Sequence, residues 1–278
     1  MADVTPTLVR AEPPPAAPKL AVRDLTVTRR LASGETVTAA ADVSFEVAVG
    51  EFVCLLGPSG CGKTSILNVL AGLDRPSAGQ ALLDGRPIGG PGPDRAVLFQ
   101  EPALFPWLSV AGNVELALKL VDVPADERGP RARSWLANVG LERFADVQPH
   151  ELSAGMRQRA ALARALAADP DVLLGDEPFG QLDAQSRELL QHEVQRAWVA
   201  SEGRKTFVFV THNVREAALL ADRVLVMTAA PGRLLEEVRI HTPRPRELDD
   251  VLVARIVAEI HELLMREVGK GVAREMGR

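Results

Sequence analysis

Gly57, Gly62, Lys63 and Thr64 in the run GPSGCGKTS have the spacing G-x-x-x-x-G-K-[ST], a pattern whose chemistry is the holding of phosphate. Glycine at such positions lets successive backbone N–H groups curl around an oxyanion with no Cβ in the way. The helix that follows turns its positive end toward the charge. Lys63 supplies a mobile point charge for β and γ phosphates, and Thr64 a hydroxyl ligand for Mg²⁺. The whole stretch of Gly57, Pro58, Ser59, Gly60, Cys61, Gly62, Lys63, Thr64 and Ser65 is the candidate phosphate loop.

Two further groups carry chemistry. In VLLGDEP, three apolar residues deliver Asp176 and Glu177 to the carboxyl end of a strand, which is where ligands bind in an open α/β sheet. Adjacent residues on an extended chain face opposite ways, so Asp176 is expected in the Mg²⁺ shell and Glu177 toward the γ-phosphate as the base that polarises water. In LSAG at 152–155, Ser153 is a helix-cap residue and the Gly155 region offers backbone N–H groups at a positive helix end. A second anion-binding helix start is redundant in a monomer with one site.

The elements that position these residues follow from periodicity. Phe52 to Leu56 reads as a strand feeding the loop, and KTSILNVLAGL as the helix after it. Leu20 to Val27 and Val43 to Val49 suit strands, as do Val172 to Leu174 and Thr206 to Val210. Gly175 is unexpected in a strand, which glycine weakens by roughly 0.5–1 kcal/mol relative to alanine. Between Gln100 and Glu151 the sequence turns helical, with NVELALKL and RARSWLANV broken by Pro124 and Pro130. An inserted helical lobe at about 101–155, within one domain at 20–246, accounts for this order. Residues 1–19 carry five prolines and little apolar content and are expected to form a flexible tail. In a C-terminal extension at 247–278, Val253, Ile256, Val257, Ile260, Leu263 and Leu264 recur at helical spacing, as in a helix packed on its own domain.

Composition narrows the function. A chain of 278 residues that is 46% hydrophobic can bury a full core. A formal charge of -5 argues against a nucleic-acid binder that works by neutralising phosphates. Cys54 and Cys61 lack the spacing of a disulfide framework or zinc site, which suits a reducing cytoplasm. No run approaches 18 apolar residues and the start lacks a signal-peptide pattern, so the chain is expected neither to span a membrane nor to be exported by such a signal.

The run LSAGMRQRAALARALAADPDVLLGDEPFGQLD at 152–183 resembles the ABC ATPase family, with Leu152, Ser153 and Gly155 matching its signature. The resemblance implies an α/β fold: a P-loop NTPase ABC cassette with a RecA-like core, an antiparallel β subdomain and an inserted α-helical subdomain. It implies ATP and Mg²⁺ as ligands, and two copies meeting head to tail, so that Ser153 and Gly155 act on ATP held by the partner's loop. Gln100 in VLFQEPALFPW resembles the Q-loop glutamine that touches Mg²⁺ or the attacking water. Asp183 in FGQLD matches the D-loop aspartate at the dimer interface. His212, 35 residues after Glu177, matches the switch histidine that contacts the γ-phosphate. The other four histidines have no comparable context.

Three departures stand out: Ala154 where glycine is usual, Gly175 in place of a bulky apolar residue, and no tyrosine to stack on adenine. Arg29 or Arg30 could stack by its guanidinium plane instead. Together with AGLDRPSAG, VTHNVREAALLADRVLVM and AAPGRLLEEVRI, the motifs look like the ATP-binding subunit of bacterial importers for nitrate, taurine and alkanesulfonates. That group implies ATP hydrolysis, a second cassette, a separate transmembrane permease, a solute-binding protein, no nucleic-acid partner, and a peripheral place at the cytoplasmic face of the membrane. An importer ATPase for another solute and a non-transport ABC ATPase are the alternatives.

Overall fold

The computed structural model describes residues 17–31 and 33–276, with side chains as far as Met265. Most of the expected tail at 1–19 lies outside the described residues. In chain order the elements are β1 (Leu20–Arg30), β2 (Thr36–Val47), β3 (Phe52–Leu56), α1 (Lys63–Ala71), β4 (Ala78–Leu83), β5 (Arg86–Pro87), β6 (Arg95–Leu98), α2 (Val110–Leu120) and α3 (Ala125–Asn138). They continue with α4 (Ala154–Ala167), β7 (Val172–Asp176), α5 (Ala184–Ala200), β8 (Thr206–Thr211), α6 (Val214–Leu220), β9 (Arg223–Met227), β10 (Leu234–Arg239) and α7 (Val251–Met276). The chain divides into two compact units, Met1–Pro91 with Thr206–Arg278, and Gly92–Lys205.

The first unit holds an antiparallel sheet in the order β2-β1-β4-β5. It also holds a run of strands in which β3 lies parallel between β8 and β9, and β10 pairs antiparallel with β9. All five residues of β3, FVCLL, are buried. A continuous apolar run is what a strand covered on both faces requires. Phe52, Phe207 and Phe209 interlock beneath it at centroid distances of 5.0 to 6.0 Å. Helix α7 buries Val253, Ile256 and Ile260 and packs on α6, as the helical spacing predicts.

The short α6 is held at its far end by two arginines. Arg246 is 1% exposed, and its guanidinium donates to the carbonyl oxygens of Ala218 (3.1 Å), Ala221 (2.6 Å) and Thr242 (2.8 Å). Burial lowers its pKa to about 10, and the neighbouring Arg244 pushes the same way. The Ala218 and Ala221 carbonyls lie at the negative end of α6, where a cation is favoured. Arg244 donates from Nε to Leu220 O at 3.1 Å, pairs with Asp222 and lies over the Phe52 ring at 5.7 Å.

The second unit contains the parallel pair β6 and β7 and the helices α2 to α5. Val110, Val114, Leu118, Leu136, Leu141 and Ala160 are among the buried residues of its helical core. Ser109 caps α2 by accepting from Gly112 N at 3.0 Å. Asn113, fully buried, accepts from Phe105 N at 2.7 Å and donates to Phe105 O and Ser109 O. That fixes the turn on which Trp107 is 72% exposed. The sequence leads one to expect breaks at Pro124 and Pro130. Pro124 does stand at the N-cap of α3, but Pro130 lies inside the helix. It is the sixth residue, where the missing N–H forfeits a single bond, and burial of Ala132 and Leu136 in the helical core offsets that loss.

Candidate functional site

In the first unit the candidate residues gather at the carboxyl ends of β3 and β8. The two strands pair in parallel with Leu56 opposite Thr211, so the loop that starts at Gly57 and His212 leave the same edge. Gly62 has φ +89°, and a Cβ there would come within 2.6 Å of Ala39 O, so both conformation and space call for glycine. Gly62 also stands at the N-cap of α1, where it offers no side chain, and no acidic residue lies in the first turn. The positive helix end therefore has no side chain of its own to neutralise it.

Lys63 is only 4% exposed. Its Nζ donates to Gly57 O at 2.8 Å and Pro58 O at 2.9 Å, which holds the ammonium inside the loop. The Cys61 thiol is 3.8 Å from it. Burial pushes that thiol's pKa up, and the Lys63 charge only partly opposes the shift. Ser59, Gly60 and Thr64 are exposed, while Ser65 is buried and its hydroxyl meets Arg29 Nε at 3.4 Å. Arg29 also pairs with Asp74 at 2.5 Å, whereas Arg30 is exposed. His212 is exposed, and the turn around it is fixed by Thr211 Oγ1 donating to Glu216 at 2.6 Å and by Asn213 capping α6.

Gly232 also belongs to this site, and sequence reasoning did not single it out. Its N–H donates to Ala39 O and its carbonyl accepts from Ala41 N, both at 2.9 Å. A Cβ at this position would run into the carbonyl oxygen of Cys61. The segment between β9 and β10 thus seats the phosphate loop from below. The signal was the Pro-Gly pair in AAPGR, which reads first as an ordinary turn.

In the second unit Gln100 and the Asp176–Glu177 pair likewise follow the carboxyl ends of neighbouring strands, with Leu98 opposite Gly175 in the parallel pair. Asp176 is the last strand residue, but Glu177 has φ +43°. This corrects the expectation that strand alternation aims Glu177: its direction is set by a left-handed turn, a conformation that costs a non-glycine residue about 1–3 kcal/mol. Gly180 leaves room beside it, since a Cβ there would lie 3.3 Å from Glu177 O and 3.4 Å from Gln100 Nε2. Gln100 and the Glu177 turn are therefore brought together.

Ser153 caps α4 by accepting from Met156 N at 3.2 Å. Ala154 is exposed and occupies the first helical position, where its methyl group is compatible with the right-handed backbone. Gly155 is buried, and a Cβ on it would stand 2.5 Å from Ser186 Oγ and 2.7 Å from Ser186 Cβ. Asp183 caps α5 by accepting from Ser186 N at 2.9 Å. Hydrogen bonds from the Ser186 backbone and hydroxyl hold its carboxyl below the usual range. Gly155 and Asp183 thus meet around Ser186, a residue that no sequence signal marks.

Within the first unit the exposed helix start, Lys63 and the Thr64 hydroxyl suit a phosphate and its Mg²⁺. Within the second, the Asp176 carboxylate and the Gln100 amide are hard oxygen donors of the kind that Mg²⁺ takes. Among the described residues no three His, Cys, Asp or Glu side chains form a metal cluster. Mg²⁺ held largely by nucleotide phosphates needs none.

Comparison with known proteins gives four findings. The ABC transporter family model matches residues 40–180. An uncharacterised ABC transporter ATP-binding protein of Methanocaldococcus jannaschii is 45% identical over 254 residues, which are 91% of this chain and 94% of that protein. A taurine import ATP-binding protein of Pelagibacter ubique is 44% identical over 218 residues, 78% of this chain and 82% of that one. Among solved structures, a dimeric ATP-binding cassette in a post-hydrolysis state with ADP and Pi matches with a TM-score of 0.71 at 31% identity, covering 81% of this chain and 100% of that one.

Proposed function

The chain belongs to the ABC transporter family as an ATP-binding subunit that hydrolyses ATP, and on that premise we propose that it powers a bacterial importer for a small anion of the nitrate, taurine or alkanesulfonate class. Two cassettes meet head to tail and seat on a separate permease at the cytoplasmic face of the membrane, with a solute-binding protein delivering the cargo. The observation that carries the solute class is the similarity to a taurine import ATP-binding protein over 82% of its length. No helix among the described residues is long and apolar enough to cross a membrane, which is compatible with a solute path in another polypeptide.

The site residues take the following roles. Backbone N–H groups from Gly57 to Ser65 and the Lys63 ammonium hold the β and γ phosphates. Thr64, Asp176 and Gln100 hold Mg²⁺, which when bound neutralises charge on the phosphates. Glu177 takes the proton of the attacking water, and His212 steadies the γ-phosphate and that water. Ser153 and Gly155 close over the ATP of the opposite cassette, with Asp183 beside the interface. Arg30, the exposed member of the arginine pair, is the better placed to stack on adenine. ATP binding does work only if the closed and open transporter bind the nucleotide with different free energies.

The test is ATP-dependent uptake into proteoliposomes containing the chain and its co-purified permease, with taurine, an alkanesulfonate and nitrate assayed in parallel. Transport of one of them, lost in Glu177→Gln, is the expected result. Brisk ATP turnover that is indifferent to permease and to every solute would overturn the importer reading.

A further inference from the structure

Away from the nucleotide residues, the second unit contains a cavity of about 460 Å³ between α3, α4 and α5. That volume lies within the range of small-molecule pockets, about 300–1,000 Å³. Its floor is apolar, made by Leu162 and Leu166 of α4 and by Ala197 and Ala200 of α5, and the Trp135 ring of α3 forms part of the wall. Its rim is charged. Lys205 is satisfied by Asp169 at 2.5 Å, and Arg196 by the buried Glu193. The third rim cation, Arg204, donates from Nε to Ser201 O at 3.0 Å and has no carboxylate partner among the described residues. The rim therefore carries three cations against two anions, and the uncompensated guanidinium borders an apolar pocket.

We propose that this cavity is a regulatory site for a small organic anion with an apolar body, whose carboxylate or sulfonate pairs with Arg204 while its body lies against Trp135, Leu166 and Ala197. A planar guanidinium suits the flat or trigonal oxygen array of such groups. The same two helices carry signature and interface residues at their opposite ends, where Gly155 abuts Ser186. Leu166 lies eleven residues beyond Gly155, and Ala197 eleven beyond Ser186, so the cavity opens about 16 Å from that contact. A ligand wedged between the carboxyl-terminal halves of α4 and α5 tilts them about the contact and changes the pose of Ser153 relative to Asp183.

The experiment is calorimetric titration of the full chain with 1-naphthalenesulfonate and, separately, with neutral 1-naphthalenemethanol, together with ATP turnover at saturating sulfonate. We expect one saturable site per chain, sulfonate affinity about tenfold lower in Arg204→Ala, loss of binding in Ala197→Phe, weaker binding of the alcohol, and a severalfold change in turnover that disappears in both variants. Melting curves establish that the variants are folded, and Arg204 is exposed enough for its replacement to stand alone if Ala197→Phe does not fold. Absence of saturable binding, or equal affinity in parent and both variants, overturns the site. Binding that leaves turnover unchanged overturns its regulatory role. The titration requires neither permease nor transported solute, so its outcome is independent of the importer reading.

Discussion

Glu177 holds a left-handed backbone at the end of a buried strand, next to Gln100 and opposite the space left by Gly180. A strained acid that the surrounding fold has fixed is pre-aimed, and its chemistry depends on the carboxylate rather than on its shape. Glu177→Gln is therefore expected to retain ATP while hydrolysis falls by about 10²–10⁴, and to accumulate an ATP-bound dimer in sedimentation velocity. Turnover equal to that of the parent would remove Glu177 as the base. At this scale the sequence was most informative, because a residue's capacity for phosphate or proton chemistry is intrinsic to its side chain. It was silent on Gly232 and Ser186, because what constrains them is an atom of another segment: the Cys61 carbonyl in one case, the Gly155 backbone in the other.

Between helices the controlling feature is the approach of α4 to α5. Gly155→Ala places a methyl group against Ser186 Cβ, which no rotamer can remove, so the helices part. The expected loss is about 1–3 kcal/mol, read as a lower denaturant midpoint together with slower ATP turnover. Ser186→Gly in the same chain is expected to restore much of both; a double variant no better than the single one would show that the contact is not the cause. The cap of α5 adds a dependence on pH. Because Asp183 has a lowered pKa in the folded chain, its contribution is fully present above the usual carboxylate range and is lost as pH falls through the folded value. Protection of the Ser186 amide against hydrogen exchange, relative to its intrinsic rate at each pH, should fall under acid conditions in the parent but show no such step in Asp183→Asn. Helix positions were legible from periodicity, but the continuity of α3 through Pro130 was not, since burial of Ala132 and Leu136 in the helical core overrides a local breaker.

For the molecule as a whole, the segment after β10 matters more than its distance from the phosphate loop suggests. Arg246 satisfies carbonyls at the end of α6 and before α7, and Arg246→Met leaves them buried without a donor. Urea unfolding should show a loss of about 3 kcal/mol, and a loss below about 0.5 kcal/mol would mean that water or a backbone shift replaces the guanidinium. The general architecture was legible because the motifs come in a fixed order along one chain. The role of the HTPRPR segment was not, because it lies in the pairing of a cation with main-chain oxygens, which composition does not report. The seating of the phosphate loop on Gly232 also has a consequence for biosynthesis. Gly232 follows Cys61 by 171 residues, and at cellular rates of translation of about 5–20 residues per second it leaves the peptidyl centre roughly 10–30 s later. A nascent chain thus displays its nucleotide-binding sequence well before it has the support that shapes it, so competence for ATP waits on the emergence of β9 and the turn that follows it.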